Sequence, residues 1–153
     1  FDAMTGPILG IDLVGRGGLR LKDKWQAGPK NYLGLCVSGF PNLFLMTGPG
    51  SPSVLTNMHV SIEHHTDWIA GCLARLVQAQ QSQIEALEDA ESHWVARVDA
   101  IASATIFPSC NSWYLGANIP GKPRMFMPFV GFPAYAQLCA EVVAEDYAGF
   151  QRH

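Results

Sequence analysis

Between Leu43 and Met58 the chain changes character twice, and this stretch limits the possible folds more than any other. Leu43-Phe44-Leu45-Met46 is an apolar run, short enough for a buried strand. Thr47-Gly48-Pro49-Gly50-Ser51-Pro52-Ser53 follows without a charge, its glycines allowing close backbone approach and its prolines fixing the shape. From Val54 to about Gln81 the spacing predicts a helix, with Ile62, Ile69, Leu73 and Leu76 as its apolar face and Ser53 or Thr56 as its cap. A helix that begins after such a loop offers unpaired N–H donors to a carbonyl or an anion, an arrangement suited to the electron-rich edge of a ring, while a purely structural strand–turn–helix accounts for the same residues. It is not a P-loop, because no Gly-Lys-Ser/Thr follows, and no G-x-G-x-x-G occurs anywhere in the chain.

The rest reads as strands mixed with helices, an α/β or α+β arrangement. Ile8 to Val14 is expected as a strand, turning at Gly15-Arg16-Gly17-Gly18 into a returning Leu19-Arg20-Leu21. Trp25 to Lys30 reads as loop and Tyr32 to Val37 as strand. Ile84-Glu85-Ala86-Leu87 is a short apolar link. Glu88 to Thr105 is a helix with carboxylates at its positive end and Trp94, Val98 and Ile101 on one side. Residues 108–133 read as irregular, with Met125-Phe126-Met127 and Phe129-Val130 strand-like, and a last helix runs from about Ala134 to Tyr147 with Leu138, Val142 and Val143 inward.

Composition excludes several classes. With 48% hydrophobic and 15% charged residues among 153, the chain is globular rather than disordered. Ten Lys and Arg against 13 Asp and Glu give a net charge of −3, which argues against nucleic acid and anionic membrane as partners. No apolar run approaches the roughly 18–20 residues of a membrane span. Cys36, Cys72, Cys110 and Cys139 form no C-x-x-C pair and read as free thiols in a reducing cytoplasm.

Most side chains that suggest catalysis have plainer uses. His59, Glu63, His64 and His65 lie together on the first long helix, but H-E-x-x-H is absent and a metal would need more converging ligands; helix packing or surface exposure explains them. Ser51, Ser53 and Ser61 lack a G-x-S-x-G setting and a positioned base, and Cys110 lacks any feature that would lower its pKa. Trp113 and Tyr114 lie in a Gly-rich loop near Asn118, Lys122 and Arg124, where an indole N–H and two cations could meet a phosphorylated ligand or simply cap the core.

Phe44 to Met58, continued by Val60-Ser61-Ile62-Glu63-His64 and Asp67-Trp68-Ile69, resembles the flavin-side segment of the Baeyer–Villiger monooxygenases, with the flavour of the phenylacetone and steroid monooxygenase branch. Ser112 to Arg124 resembles their C-terminal loop and Tyr147-Ala148-Gly149-Phe150 their closing segment. The chain departs from them at Gly131-Phe132-Pro133, where they tend to carry a Gly-Gly pair. The resemblance implies a fold and an activity. The fold is α/β, the C-terminal part of a flavoprotein with two dinucleotide-binding domains, here short strands plus three helices. Residues 1–105 would be the C-terminal portion of the FAD domain, and 106–153 would complete it and contact NADP. In the implied reaction NADPH reduces FAD, the flavin takes up O2 as a C4a-peroxide, and oxygen enters beside a ketone carbonyl to give an ester or lactone.

The resemblance also assigns residues. Asn57 and Met58 would meet the flavin edge, Ser53, Val54, Leu55 and Met58 would line the substrate pocket, and Trp113 and, less centrally, Lys122 would contact NADP. No catalytic residue falls within this chain. The Gly-rich loops and the arginine that steadies the peroxyflavin lie upstream in the family, so a missing upstream part is the expected partner, in a protein of roughly 500 residues or more. Alone, the chain is expected to be inactive and to bind FAD weakly. Two alternatives stand beside this: an inert or partner-binding fragment, and a related flavin enzyme that oxygenates nitrogen or sulfur.

Overall fold

The computed structural model describes residues 2, 4–122 and 129–153, without the side chains of Val54 and Tyr114. The expected strand at Met125–Met127 lies outside the described residues. In chain order the elements are the one-turn helices α1 (Gly6–Leu9) and α2 (Leu21–Lys24), helix α3 (Met58–Gln78), strand β1 (Ile84–Ala86), helix α4 (Glu88–Ser103), helix α5 (Phe132–Ala144) and strand β2 (Phe150–Arg152). Short strands with three long helices agree with the expected architecture.

The N-terminal strand did not form. Pro7 sits in the first turn of α1, where its missing N–H is no loss, and the Asp2 carboxylate accepts from the N–H and hydroxyl of Thr5 just before it. Of the expected hairpin only the Val14–Arg20 bridge remains. Tyr32–Val37 is likewise not a strand. Tyr32 and Cys36 pair across a tight turn in which Leu33 (φ 60°) and Gly34 (φ 71°) are left-handed, and Cys36 bridges on to Phe44. The apolar run at Leu43–Met46 thus makes a single bridge, with Leu45 N–H donating to Leu35 O at 2.7 Å.

Helix α3 starts four residues later than the spacing suggests. Ser53 takes a left-handed φ of 46°, so Ser53–Leu55 forms a separate turn and Thr56 is extended. The cap is Asn57, whose Oδ1 accepts the His59 N–H at 3.0 Å, rather than Ser53 or Thr56. Of the expected apolar face, Leu76 is buried and Ile69 packs against the core, but the rest of the buried face is turned by one position. Ser61, His65, Trp68, Cys72 and Leu76 face the core, while Ile62 and Leu73 are exposed. A stripe read from aliphatic residues alone misses a face built on a histidine and an indole that find hydrogen-bond partners inside.

Helix α4 buries Trp94, Val98 and Ala102, close to expectation. Helix α5 begins at Phe132 after Gly131 (φ 103°) and buries Tyr135 and Cys139, with Leu138 and Val142 packed beside them and Val143 exposed. The main core joins α3, α4 and α5 with the Leu33–Cys36 turn. Strand β2 pairs antiparallel with β1, Ile84 opposite Arg152 and Ala86 opposite Phe150.

Two buried carboxylates fasten the N-terminal segment, which has its own small core around Leu21, Trp25 and Val37, to this frame. Glu85 Oε1 accepts from Arg16 at 2.8 Å and from the Gly39 N–H at 2.7 Å. Glu91 pairs with Lys24 at 2.7 Å and accepts the Ser38 N–H at 3.0 Å. Each ion pair is completed by a backbone donor, the condition under which a buried carboxylate is tolerated.

Candidate functional site

The loop between the apolar run and α3 is held in a shape that most sequences would avoid. Thr47 (φ 51°), Gly50 (φ 82°) and Ser53 (φ 46°) are all left-handed. For a β-branched residue such as Thr47 that conformation is uncommon and needs support from its surroundings. Two glycines allow the loop to cross the Leu33–Cys36 turn. A Cβ on Gly48 would lie 2.4 Å from Gly34 O, and one on Gly34 would lie 2.6 Å from Ser51 Cβ.

Buried polar groups fix the crossing from both sides. Asn31 donates from Nδ2 to Pro49 O at 2.6 Å and accepts the Gly34 N–H on Oδ1 at 2.8 Å. The Ser51 hydroxyl donates to Gly48 O at 2.7 Å, and Ser51 O accepts the Phe129 N–H at 3.0 Å. From α3, His65 Nδ1 accepts the Thr47 N–H at 3.0 Å, while Nε2 lies 2.8 Å from Tyr135 Oη. The Tyr135 hydroxyl donates to Leu33 O at 2.7 Å, so its oxygen accepts a hydrogen bond from His65 Nε2–H. The imidazole is therefore the neutral Nε2–H tautomer. Burial pushes its pKa down to about 4, with the neighbouring His64 adding to the effect. Burial raises the Tyr135 phenol well above its ordinary value. One turn before His65 on the same face, Ser61 is fully buried and its hydroxyl has no hydrogen-bond partner among the described residues.

The sequence-expected residues fall in two places. Around the loop and the start of α3, Ser53 is buried, Leu55 and Asn57 are exposed and Met58 is half-buried; the Val54 side chain lies outside the described residues. The N-terminus of α3 is thus presented at the surface. With Asn57 engaging the His59 N–H, helix geometry leaves those of Met58 and Val60 without an intrahelical acceptor. A cleft of about 410 Å³ opens beside the loop, lined by Ile8, Phe44, Met46, Thr47, Gly48 and Pro49 among others, and neither Asn57 nor Met58 lines it.

The second place is the loop after α4. Trp113 is 48% exposed in a single turn, Trp113–Leu115. Lys122 contacts the Asp2 carboxylate and donates to Thr5 Oγ1 at 2.7 Å. Burial opposes the charge on Asp2, but hydrogen bonds from Lys122 and Thr5 outweigh it and hold the carboxyl at about 2. The segment containing α1 therefore lies between the two places, lining the cleft with Ile8 and holding Lys122 with Asp2 and Thr5.

Asn31, His65 and Tyr135 escaped sequence reading as a group. Only His65 gave a signal, at the same helical spacing as Trp68, Cys72 and Leu76. The helix histidines separate, with His59 exposed and His64 half-buried edge-on to Phe132 and Tyr135. Among the described residues no three His, Cys, Asp or Glu side chains converge as a metal site, and no helix is long and apolar enough to cross a membrane. All four cysteines are free, and Cys36, Cys72 and Cys139 are buried.

No family model matches the chain. Individual proteins do. A cyclohexanone 1,2-monooxygenase of Acinetobacter sp is 36% identical over 151 residues, covering 98% of this chain and 27% of the relative. A Baeyer-Villiger monooxygenase of Pseudooceanicola batsensis is 37% identical over 153 residues (99% and 28%), and a phenazine N-monooxygenase of Lysobacter antibioticus is 35% identical over 154 residues (100% and 28%). Among solved structures, oxidized steroid monooxygenase bound to NADP superposes with a TM-score of 0.91 at 47% identity, covering 99% of this chain and 28% of that one. OTEMO in complex with FAD and NADP gives 0.92 at 31% identity, covering 100% and 28%. The chain thus spans just over a quarter of the length of the relatives it matches, and the match is to their C-terminal part.

Proposed function

This chain belongs to the Baeyer–Villiger monooxygenase family, and from that premise we propose that it forms one wall of an oxygenation site in which a ketone becomes an ester or lactone. FAD, NADPH and O2 would supply the oxygen-transfer chemistry. The residues of this chain would bind, orient and exclude water. The main support is similarity along nearly the whole of this chain, and 28% of theirs, to solved monooxygenases, one bound to NADP at 47% identity and one in complex with FAD and NADP at 31%.

The residues present suit one flank of a flavin. The surface-presented start of α3 offers the Met58 N–H and the positive end of a 21-residue helix, which favours negative charge at a nearby ring edge. Asn57 contributes by fixing the helix start. Ser53, Val54, Leu55 and Met58 would form the substrate wall, and their size would select the ketone. Trp113 and Lys122 would contact NADP, with Lys122 exchanging the Asp2 carboxylate for a phosphate. The remaining partner is the rest of a longer protein carrying the Gly-rich loops this chain lacks. Residues 1–105 would belong to its FAD domain, with 106–153 completing that domain at the NADP side. A cytoplasmic site of action fits four free thiols.

The test is to express the complete protein and follow NADPH consumption and product with a panel of ketones. Ketone-dependent consumption with ester or lactone formed supports the reading. NADPH consumption that answers to no ketone rejects it. A second reading, oxygenation of nitrogen, is favoured by the 35% identity to the phenazine N-monooxygenase. Turnover of N-heterocycles with ketones refused would select it.

A further inference from the structure

Resting on the monooxygenase reading, we infer that His65 is a positioning residue for the oxygenation site, acting through the loop that leads into the Ser53–Met58 turn: with Tyr135 it forms a two-ended clamp that holds Thr47–Pro49, the wall of the neighbouring cleft, in its left-handed shape. Both ends of the clamp grip a residue in the left-handed region. At one end His65 Nδ1 accepts the N–H of Thr47 (φ 51°); at the other the Tyr135 hydroxyl donates to the carbonyl of Leu33 (φ 60°). Between them His65 Nε2 and Tyr135 Oη stand 2.8 Å apart, so each bond sets the direction of the next. The two gripped turns cross where Gly34 and Gly48 meet, and Thr47, Gly48 and Pro49 line the cleft.

An L-residue with positive φ relaxes toward the extended or right-handed region unless its hydrogen bonds hold it. Removing the acceptor on Nδ1 frees the Thr47 N–H. Removing the donor on Nε2 leaves the Tyr135 oxygen half-satisfied in a buried setting. Either change loosens the wall without touching the start of α3. Glutamine carries an acceptor and a donor at about the spacing of the two imidazole nitrogens, so His65→Gln can remake both bonds, whereas His65→Leu makes neither. The role is thus separable from simple filling of space.

The experiment compares the complete protein with its His65→Leu, His65→Gln and Tyr135→Phe variants by two readouts. Hydrogen–deuterium exchange of the peptide covering residues 45–52 reports the wall itself, whether or not the protein turns over. Steady-state kinetics with a ketone reports its use. The clamp predicts exchange at least about tenfold faster in His65→Leu, with KM for the ketone raised about fivefold or more and kcat within about twofold, and both restored in His65→Gln. Should His65→Leu not fold, Tyr135→Phe is expected to speed exchange over both 32–36 and 45–52. Unchanged exchange in a folded His65→Leu, or a His65→Gln variant as loose as His65→Leu, overturns the inference. Absence of ketone turnover in the unmutated protein overturns the monooxygenase reading instead and leaves the exchange readout standing.

Discussion

The ammonium of Lys24 lies 2.7 Å from the carboxylate of Glu91, a residue 1% exposed in the first turn of α4. With the Ser38 N–H on its other oxygen, Glu91 is both a charge partner and a backbone anchor, and it joins the N-terminal segment to the helical frame. Its position at the start of α4 adds the favourable field of the helix dipole.

Lys24→Met is therefore expected to destabilise the protein by about 3 kcal/mol, since it leaves a buried carboxylate without its cation. Glu91→Gln, which removes the charge and keeps an acceptor for Ser38, is expected to cost less. Urea unfolding midpoints of the two variants test the order.

Acid sensitivity follows from His65. Tyr135 from α5 and His64 from its own helix face the ring, Thr47 presents its backbone N–H, and the Leu33 carbonyl is reached only through the Tyr135 hydroxyl. The folded pKa of about 4 lies below the unfolded value near 6.5. The unfolded state thus binds the extra proton first as pH falls, so stability declines between about pH 6.5 and pH 4 and levels off below. On the order of 3 kcal/mol should disappear across that window. In His65→Gln this component should be absent. Thermal melts at pH 7, 6, 5 and 4 compare the two; identical slopes would remove His65 as the cause.

Gly48→Ala should be poorly tolerated for a steric reason alone. The new methyl would meet the backbone oxygen of Gly34 at 2.4 Å, where neither the fixed Cβ nor the carbonyl can turn away. A loss of roughly 2 kcal/mol or more is expected. By contrast Gly121→Ala meets no atom of the described residues within 4 Å, and its expected cost is that of a φ of 73°. Melting temperatures of the pair separate the two mechanisms.

How much of this was legible beforehand depended on the kind of signal. Helix α4 was clear because Trp94 and Val98 repeat at helical spacing behind an acidic first turn. The loop at Thr47–Ser53 was clear because Gly and Pro act on the backbone locally. The start of α3 differs because Ser53 is buried with a left-handed φ, a conformation that serine's propensity does not signal. The clamp was hidden for the same reason. His65 and Tyr135 are 70 residues apart, and a buried histidine is recognisable only once its partners are known. Strands expected from short apolar runs at Ile8–Val14 and Tyr32–Val37 gave way to turns, since neither run has a long neighbour to pair with.

The absence of any G-x-G-x-x-G loop sets a further expectation. The 153-residue chain by itself should bind FAD more weakly than about 10 μM, because only one flank of the ring is served and no loop cradles the phosphates. Fluorescence titration of FAD decides this, and a tight stoichiometric complex would contradict it.

The central claim, that the turn from Ser53 to Met58 walls the substrate site, is tested most directly at Leu55, which is 38% exposed and, among the described residues, belongs to none of the core clusters. In the complete protein, kcat/KM should be measured for one bulky and one small ketone before and after Leu55→Ala. The account predicts a shift of roughly tenfold in the ratio toward the bulky ketone, the scale of a few methyl groups in an apolar pocket. An unchanged ratio in a fully active variant would contradict it.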